Sequence, residues 1–236
     1  MTPAPPADSD LWHGYGAGRF SRDRRRGATG RLYWDWYQRT GPGAELLGDV
    51  TGRVVLDLGA GSGRQAAHLA ERLAPARVIA VDASPSQHER ARARYGHIPR
   101  LVPVQSDATA YLRQHPGGAD VCYSAFGACD FTDPRLLLPA VAAALRPGGR
   151  LLIATLARYR DGSPPETDVR PARITARAAD GTPTTMERWV LGTPVWEKLL
   201  AEAGFTVAAV KTIRDDGEGD DAGPPMTTTV LLGHLT

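Results

Sequence analysis

Residues 54–69 read Val-Val-Leu-Asp-Leu-Gly-Ala-Gly-Ser-Gly-Arg-Gln-Ala-Ala-His-Leu. The run from Val54 to Leu58 has the apolar, β-branched character of a strand buried on both faces of a parallel sheet. Glycines at alternate positions, Gly59, Gly61 and Gly63, follow at once. Ala66, Ala67, Leu69, Ala70 and Leu73 then favour a helix. Strand, glycine turn and helix open a nucleotide-binding βαβ unit, in which helix N–H groups face a ligand.

Two ligands compete for such a turn. A dinucleotide turn, Gly-x-Gly-x-x-Gly, needs a third glycine at position 64, where Arg64 stands. Asp57, just before the turn, repels a pyrophosphate and attracts an ammonium or sulfonium at short range. S-adenosylmethionine (SAM) carries both cations, and its carboxylate suits a helix N-terminus. The run Asp-x-Gly-x-Gly-x-Gly resembles the first motif of the class I SAM-dependent methyltransferases.

Further positions extend the pattern. Val78 to Asp82 is the second strand, and the acidic Asp82 closing it, with Ala83 beside it, is placed to take ribose hydroxyls. NAD and SAM share that ribose, so Asp82 alone does not choose between them. Ser84-Pro85 opens the next helix with a cap and a first-turn proline. Leu101 to Gln105 is the third strand, and Pro103 points to a sheet edge. In this fold an Asp after the third strand, here Asp107, accepts from the adenine amino group while Ala108 offers its N–H; Asp107 also reads as the cap of a helix over 108–113. Ala119 to Ser124 is the fourth strand, with Ser124 at the ligand end. A buried helix over 136–145, the turn Arg146-Pro-Gly-Gly-Arg150 and a fifth strand over 151–156 follow. The Leu-Arg-Pro-Gly-Gly-Arg-Leu-Leu-Ile run at 145–153 is a second resemblance to the methyltransferase family, and the four positions occur in family order.

The resemblance implies an α/β fold: a doubly wound sheet of about seven strands, the last antiparallel. SAM is the implied cofactor and S-adenosylhomocysteine (SAH) the product. The cofactor-binding residues expected are Asp57, Gly59, Gly61, Gly63, Asp82, Ala83, Asp107, Ala108 and Ser124. The final strands fall at 205–213 and 227–232, joined by an acidic loop over 214–225 that is expected to be solvated.

Outside that frame the sequence speaks through composition. Residues 1–10, Met-Thr-Pro-Ala-Pro-Pro-Ala-Asp-Ser-Asp, suit a disordered tail. Residues 11–48 form a lid-like segment, with Trp12, His13, Tyr15 and Phe20 among glycines and arginines. Within it, residues 31–39 read as a short helix with Tyr33, Trp36 and Tyr37 on one face. The SAM-binding domain is expected over 49–236, with a substrate-side insertion at 157–192. Asp180-Gly181 marks a β-hairpin inside that insertion. Trp12, Tyr15, Trp34, Phe126 and Trp189 are the candidates for an aromatic acceptor wall. His13 and Asp130 are the candidates for a general base, which a SAM-dependent reaction does not always need.

The 236 residues, 42% of them apolar, suit a single domain with a full core. No run of apolar residues is long enough for a membrane span, and no secretory signal is visible at the N-terminus. The two cysteines, Cys122 and Cys129, suggest neither a metal site nor a disulfide framework, and fit reduced thiols in the cytoplasm. A net charge of +2 does not advertise nucleic acid. The expectation is a methyltransferase acting on a small molecule, in the style of secondary metabolism, as a monomer or homodimer. The alternatives are an RNA or protein methyltransferase using the basic cluster Arg19–Arg26, a SAM-binding protein without catalysis, and a nicotinamide oxidoreductase.

Overall fold

A computed structural model of the chain describes residues 30–178, 181–217 and 224–236. Its strands are β1 (Val54–Leu58), β2 (Arg77–Asp82), β3 (Leu101–Gln105), β4 (Ala119–Ala125), β5 (Leu145–Leu156), β6 (Ala172–Arg177), β7 (Pro183–Arg188), β8 (Phe205–Asp215) and β9 (Met226–Leu235). Its helices are α1 (Arg64–Arg72), α2 (Pro85–Tyr95), α3 (Ala108–Gln114), α4 (Ala128–Phe131), α5 (Pro134–Ala144) and α6 (Thr193–Glu202).

Seven strands form one sheet in the order β3-β2-β1-β4-β5-β9-β8. The first five run parallel, and β9 lies antiparallel between β5 and β8. β3 is an edge strand, which accommodates the missing N–H of Pro103. The strand order reverses between β1 and β4, and in open α/β sheets the crevice at such a switch point takes the ligand.

Two-residue alternation sorts the strand side chains into two cores. Leu56 and Leu58 face the layer with Cys122, Leu137, Val141, Leu151 and Trp196. Val55 faces the other, with Ala66, Leu69, Val78, Tyr123 and Trp34. Asp57 alternates with Leu56 and Leu58, so a carboxylate enters the interior on the Val55 side.

Three sequence expectations need correction. Residues 31–41 form an extended passage and turns, and no helix. Leu32 and Trp34 are both wholly buried, a two-residue spacing that a helix would put on opposite sides. Each is secured by a tertiary partner, and the Asp35 carboxylate accepts from the N–H groups of Arg39 (2.8 Å) and Thr40 (3.2 Å), closing a turn. A nine-residue helix would have been marginal by itself. Second, β5 begins at Leu145, and Arg146–Gly149 is a bulge in the strand: Ala119 pairs with Leu145, whereas Val121 already pairs with Arg150. Third, Asp215 is not solvated: it is buried against Arg39 and accepts from Gly217 N at 2.9 Å. Residues 218–223 of that acidic loop lie outside those described.

The two arms at the switch point meet backbone to backbone. A Cβ at Gly59 (φ +76°) would lie 2.4 Å from Ala128 N and 2.6 Å from Gly127 Cα. No side chain can yield there, so something in the backbone must move. Gly59→Ala should therefore cost about 3 kcal/mol, combining overpacking with left-handed strain. That should lower the melting temperature by roughly 6–12 °C; a melting curve unchanged from wild type would refute the close approach.

Candidate functional site

The crevice begins with Asp57. It is 4% exposed, and among the described residues its hydrogen-bond donor is the Tyr123 hydroxyl, 2.7 Å from Oδ2. Asp57 and Tyr123 are register partners across β1 and β4, so the sheet itself sets the pair. Tyr123 in turn meets the edge of Trp34, ring centroids 5.9 Å apart, and the Trp34 indole donates to Gly43 O at 2.8 Å. Loss of solvation pushes the Asp57 carboxyl up to about 7; the Tyr123 hydroxyl opposes this and the Asp82 charge adds to it. A buried carboxylate solvated by one neutral hydroxyl is a site prepared for a cation.

The glycine turn lies beside it. Gly61 N donates to Asp82 Oδ2 at 2.7 Å, and Ser84 N donates to Asp82 Oδ1 at 2.9 Å. One carboxylate thus ties the β1 and β2 loops together and keeps lone pairs for hydroxyl donors. Burial raises its pKa while the two N–H groups work against that. A Cβ on Gly61 would meet no heavy atom closer than Gln87 Nε2 at 4.0 Å, so the turn borders open space. The open cradle, the cation-seeking Asp57 and the acceptor-only Asp82 together fit the sulfonium, ammonium and ribose of SAM.

The remaining expected residues divide. Gly59, Gly61, Gly63, Asp82 and the exposed Ala83 lie at the ends of β1 and β2. Asp107 is exposed after β3, and its Oδ1 caps α3 by accepting from Ala110 N at 2.8 Å; Ala108 behind it is buried. Ser124 is buried and its hydroxyl is fully engaged, donating to Leu58 O (2.9 Å) and accepting from Cys129 N (3.2 Å). It braces β4 against β1, which corrects its assignment to the cofactor.

Asp130 also needs correction. It has no exposed surface, and its Oδ2 takes the guanidinium of the equally buried Arg188 on β7. Trp189 N donates to Asp130 O at 2.8 Å. The pair fastens the β6–β7 hairpin to α4 and offers an acceptor no base, although burial raises the Asp130 pKa against the pull of Arg188. Trp189 (6% exposed) and Trp34 (fully buried) are core residues and line no open wall. Trp12, His13 and Tyr15 lie outside the described residues.

Phe126 is half-buried just past the end of β4, with φ +53°. That backbone region is unfavourable for a bulky side chain, and such strain concentrates at functional sites. Its N–H is held by Ala154 O at 2.8 Å, and its ring meets the edge of Trp36, centroids 5.1 Å apart. Trp36, Tyr37 and Tyr159 are half-buried around the same small cluster. Tyr123, and the grouping of Trp36, Tyr37 and Tyr159 with Phe126, were missed in the sequence. The helical spacing of 33, 36 and 37 suggested core packing, and only strand register could have paired Tyr123 with Asp57. Among the described residues no group of His, Cys, Asp and Glu could hold a metal ion, and no helix is long and apolar enough to cross a membrane.

Asp57 also bears on stability. Its folded pKa lies above the ordinary carboxylate value, so its contribution is complete below about pH 4 and is lost as pH rises to about 7. Asp57→Asn keeps an acceptor for Tyr123 and removes the buried charge. The variant should melt on the order of 5 °C above wild type at pH 8, with little difference at pH 4. Equal melting temperatures at both pH values would contradict the burial argument.

Comparison with known proteins agrees with this geometry. A family profile described as "Methyltransferase domain" matches residues 55–149. A trans-aconitate 2-methyltransferase from Paracidovorax citrulli is 30% identical over 179 residues, covering 75% of this chain and 68% of that protein. One from Methylobacterium radiotolerans is 37% identical over 119 residues, 49% of this chain and 44% of that protein, so the match spans less than half of that relative. An S-adenosylmethionine dependent methyltransferase from Mesorhizobium loti superposes with a TM-score of 0.57 at 20% identity, over 80% of this chain and 94% of that one. The 1,6-didemethyltoxoflavin-N1-methyltransferase of Burkholderia thailandensis, solved with SAH and its substrate, gives a TM-score of 0.57 at 19% identity over 100% and 93%. With the seven-stranded sheet, its antiparallel β9 and the acidic glycine turn in place, the chain belongs to the class I SAM-dependent methyltransferases.

Proposed function

We propose that the protein transfers the methyl group of SAM to a small-molecule acceptor held against Trp36 and Phe126. The observation that carries this is the buried Asp57 carboxylate, with no cationic partner among the described residues, beside the open Gly61 turn. When bound, SAM supplies an electrophilic methyl on a sulfonium, with SAH as the leaving group. Asp57 would hold the positively charged end, Asp82 the ribose and Gly61 the close backbone approach. Asp107 and Ala108, at the end of the neighbouring strand, are placed for the adenine.

The acceptor's place follows from chain continuity. Phe126 directly precedes Gly127, whose Cα packs against Gly59, so the aromatic group adjoins the donor turn. The chain's main task is then orientation, which is worth about 7–11 kcal/mol when nucleophile and methyl are held in line. None of the described residues is proposed as a base, since Asp130 is closed inside its pair with Arg188. His13 remains a candidate base, outside the described residues. The names of the relatives, trans-aconitate 2-methyltransferase and the toxoflavin N1-methyltransferase among them, favour a small acceptor. The alternative through Arg19–Arg26 rests on residues outside those described.

Gly61→Val tests the donor site directly. Its side chain would fill the cradle while meeting no packed atom, so SAM affinity should fall on the order of 100-fold by calorimetry. Because Gly61 has φ +55°, the branched side chain also strains the turn and lowers the melting temperature, so the affinity is measured well below the transition. Unchanged SAM affinity in Gly61→Val would reject the site.

A further inference from the structure

The aromatic group at the acceptor mouth carries an excess of positive charge. The Arg160 guanidinium lies 5.7 Å from the centroid of the Trp36 ring, and that of Arg188 lies 5.1 Å from the same centroid. The two differ in what else they hold. Arg188 is buried and ion-paired with Asp130. Arg160 is exposed and rests on Trp36, and it has no ion pair among the described residues.

The nearby carboxylates are already engaged. Glu166 accepts from the Tyr159 hydroxyl at 3.0 Å and pairs with Arg170. Asp130 belongs to Arg188, and Asp161 accepts from Ser163 N at 2.9 Å. A guanidinium over an aromatic ring uses its face for that attraction and leaves its in-plane N–H donors for a planar acceptor. The matching shape is a carboxylate, which takes two parallel N–H bonds from one guanidinium. A cationic acceptor would be repelled by Arg160 and by the sulfonium of the donor.

We propose that Arg160 is a specificity-determining residue that holds the carboxylate of a flat organic acid against Trp36, making such acids the acceptor class. This rests on the proposed function, because it takes Trp36 and Phe126 as the acceptor wall. The carboxylate is the recognition group, and Trp36 and Phe126 receive the apolar body beside it.

The experiment is calorimetry on the whole protein saturated with SAH, titrated with matched pairs: indole-3-acetate against indole-3-acetamide, and 2-naphthoate against 2-naphthamide. At least one acid should bind about tenfold or more tightly than its amide, the size expected for hydrogen bonds to a charged group. Arg160→Gln should remove that preference, Arg160→Lys should restore part of it, and SAH affinity should stay unchanged in both. Arg158→Gln, an exposed arginine two residues away with no ring beneath it among the described residues, should change the preference less than about twofold. Equal binding of acids and amides, no binding of any acid, or an equal effect of Arg158→Gln would overturn the inference. Failure of SAH to bind at all would instead overturn the methyltransferase reading on which it rests.

Discussion

A carboxylate buried with no cationic partner among the described residues sets the terms for this fold. Asp57 is carried into the interior by the alternation of β1, and the sheet register gives it one hydroxyl, that of Tyr123, as compensation. That hydroxyl does not replace the water lost, so the charged form is held at a cost that only a positive ligand can offset. Asp82, one strand away, deepens the negative field and does not add to the solvation of Asp57. The two carboxylates divide the labour by environment. Asp82 is bound by two backbone N–H groups and shapes the turn, whereas Asp57 faces the crevice under-compensated.

The surrounding architecture keeps this arrangement rigid. Gly59 and Gly127 bring the β1 and β4 arms into backbone contact, and the Ser124 hydroxyl bridges them from within. Trp34, on the segment before β1, packs against Tyr123, so the N-terminal passage supports the hydroxyl that supports Asp57. On the far side, the Asp130–Arg188 pair fastens the β6–β7 hairpin beside Phe131. A buried pair of this kind contributes little net stability, but breaking one partner is costly, which suits a fastening that must keep its register. Donor turn and aromatic mouth are thereby parts of one braced structure.

Much of this was readable in the chain, for reasons that differ by element. The parallel strands announced themselves as short apolar runs, and Asp57, Gly61 and Asp82 by their places at strand ends, because backbone geometry and residue type are coupled there. Pro103 marked an edge, since a central strand has no use for a residue lacking an N–H. Residues 31–39 misled because Trp36 and Tyr37 take different tertiary partners, Phe126 and Pro224 O, a circumstance local periodicity cannot encode. Asp130 and Trp189 misled for a related reason. Their residue types suit a site, and only three-dimensional packing reveals that both are closed inside the hairpin junction. Arg160 and Trp36, 124 residues apart, carry no motif at all and meet only through the fold.

If the donor's positive charge is what Asp57 awaits, binding must drive its carboxyl to ionise and release a proton. Calorimetric SAM affinity between pH 5 and 7 measures this most directly, in wild type and in Asp57→Asn. The wild-type affinity should strengthen by up to about tenfold per pH unit and level off near pH 7, while the variant binds weakly with no such slope. Identical affinities and identical slopes in the two proteins would contradict the account.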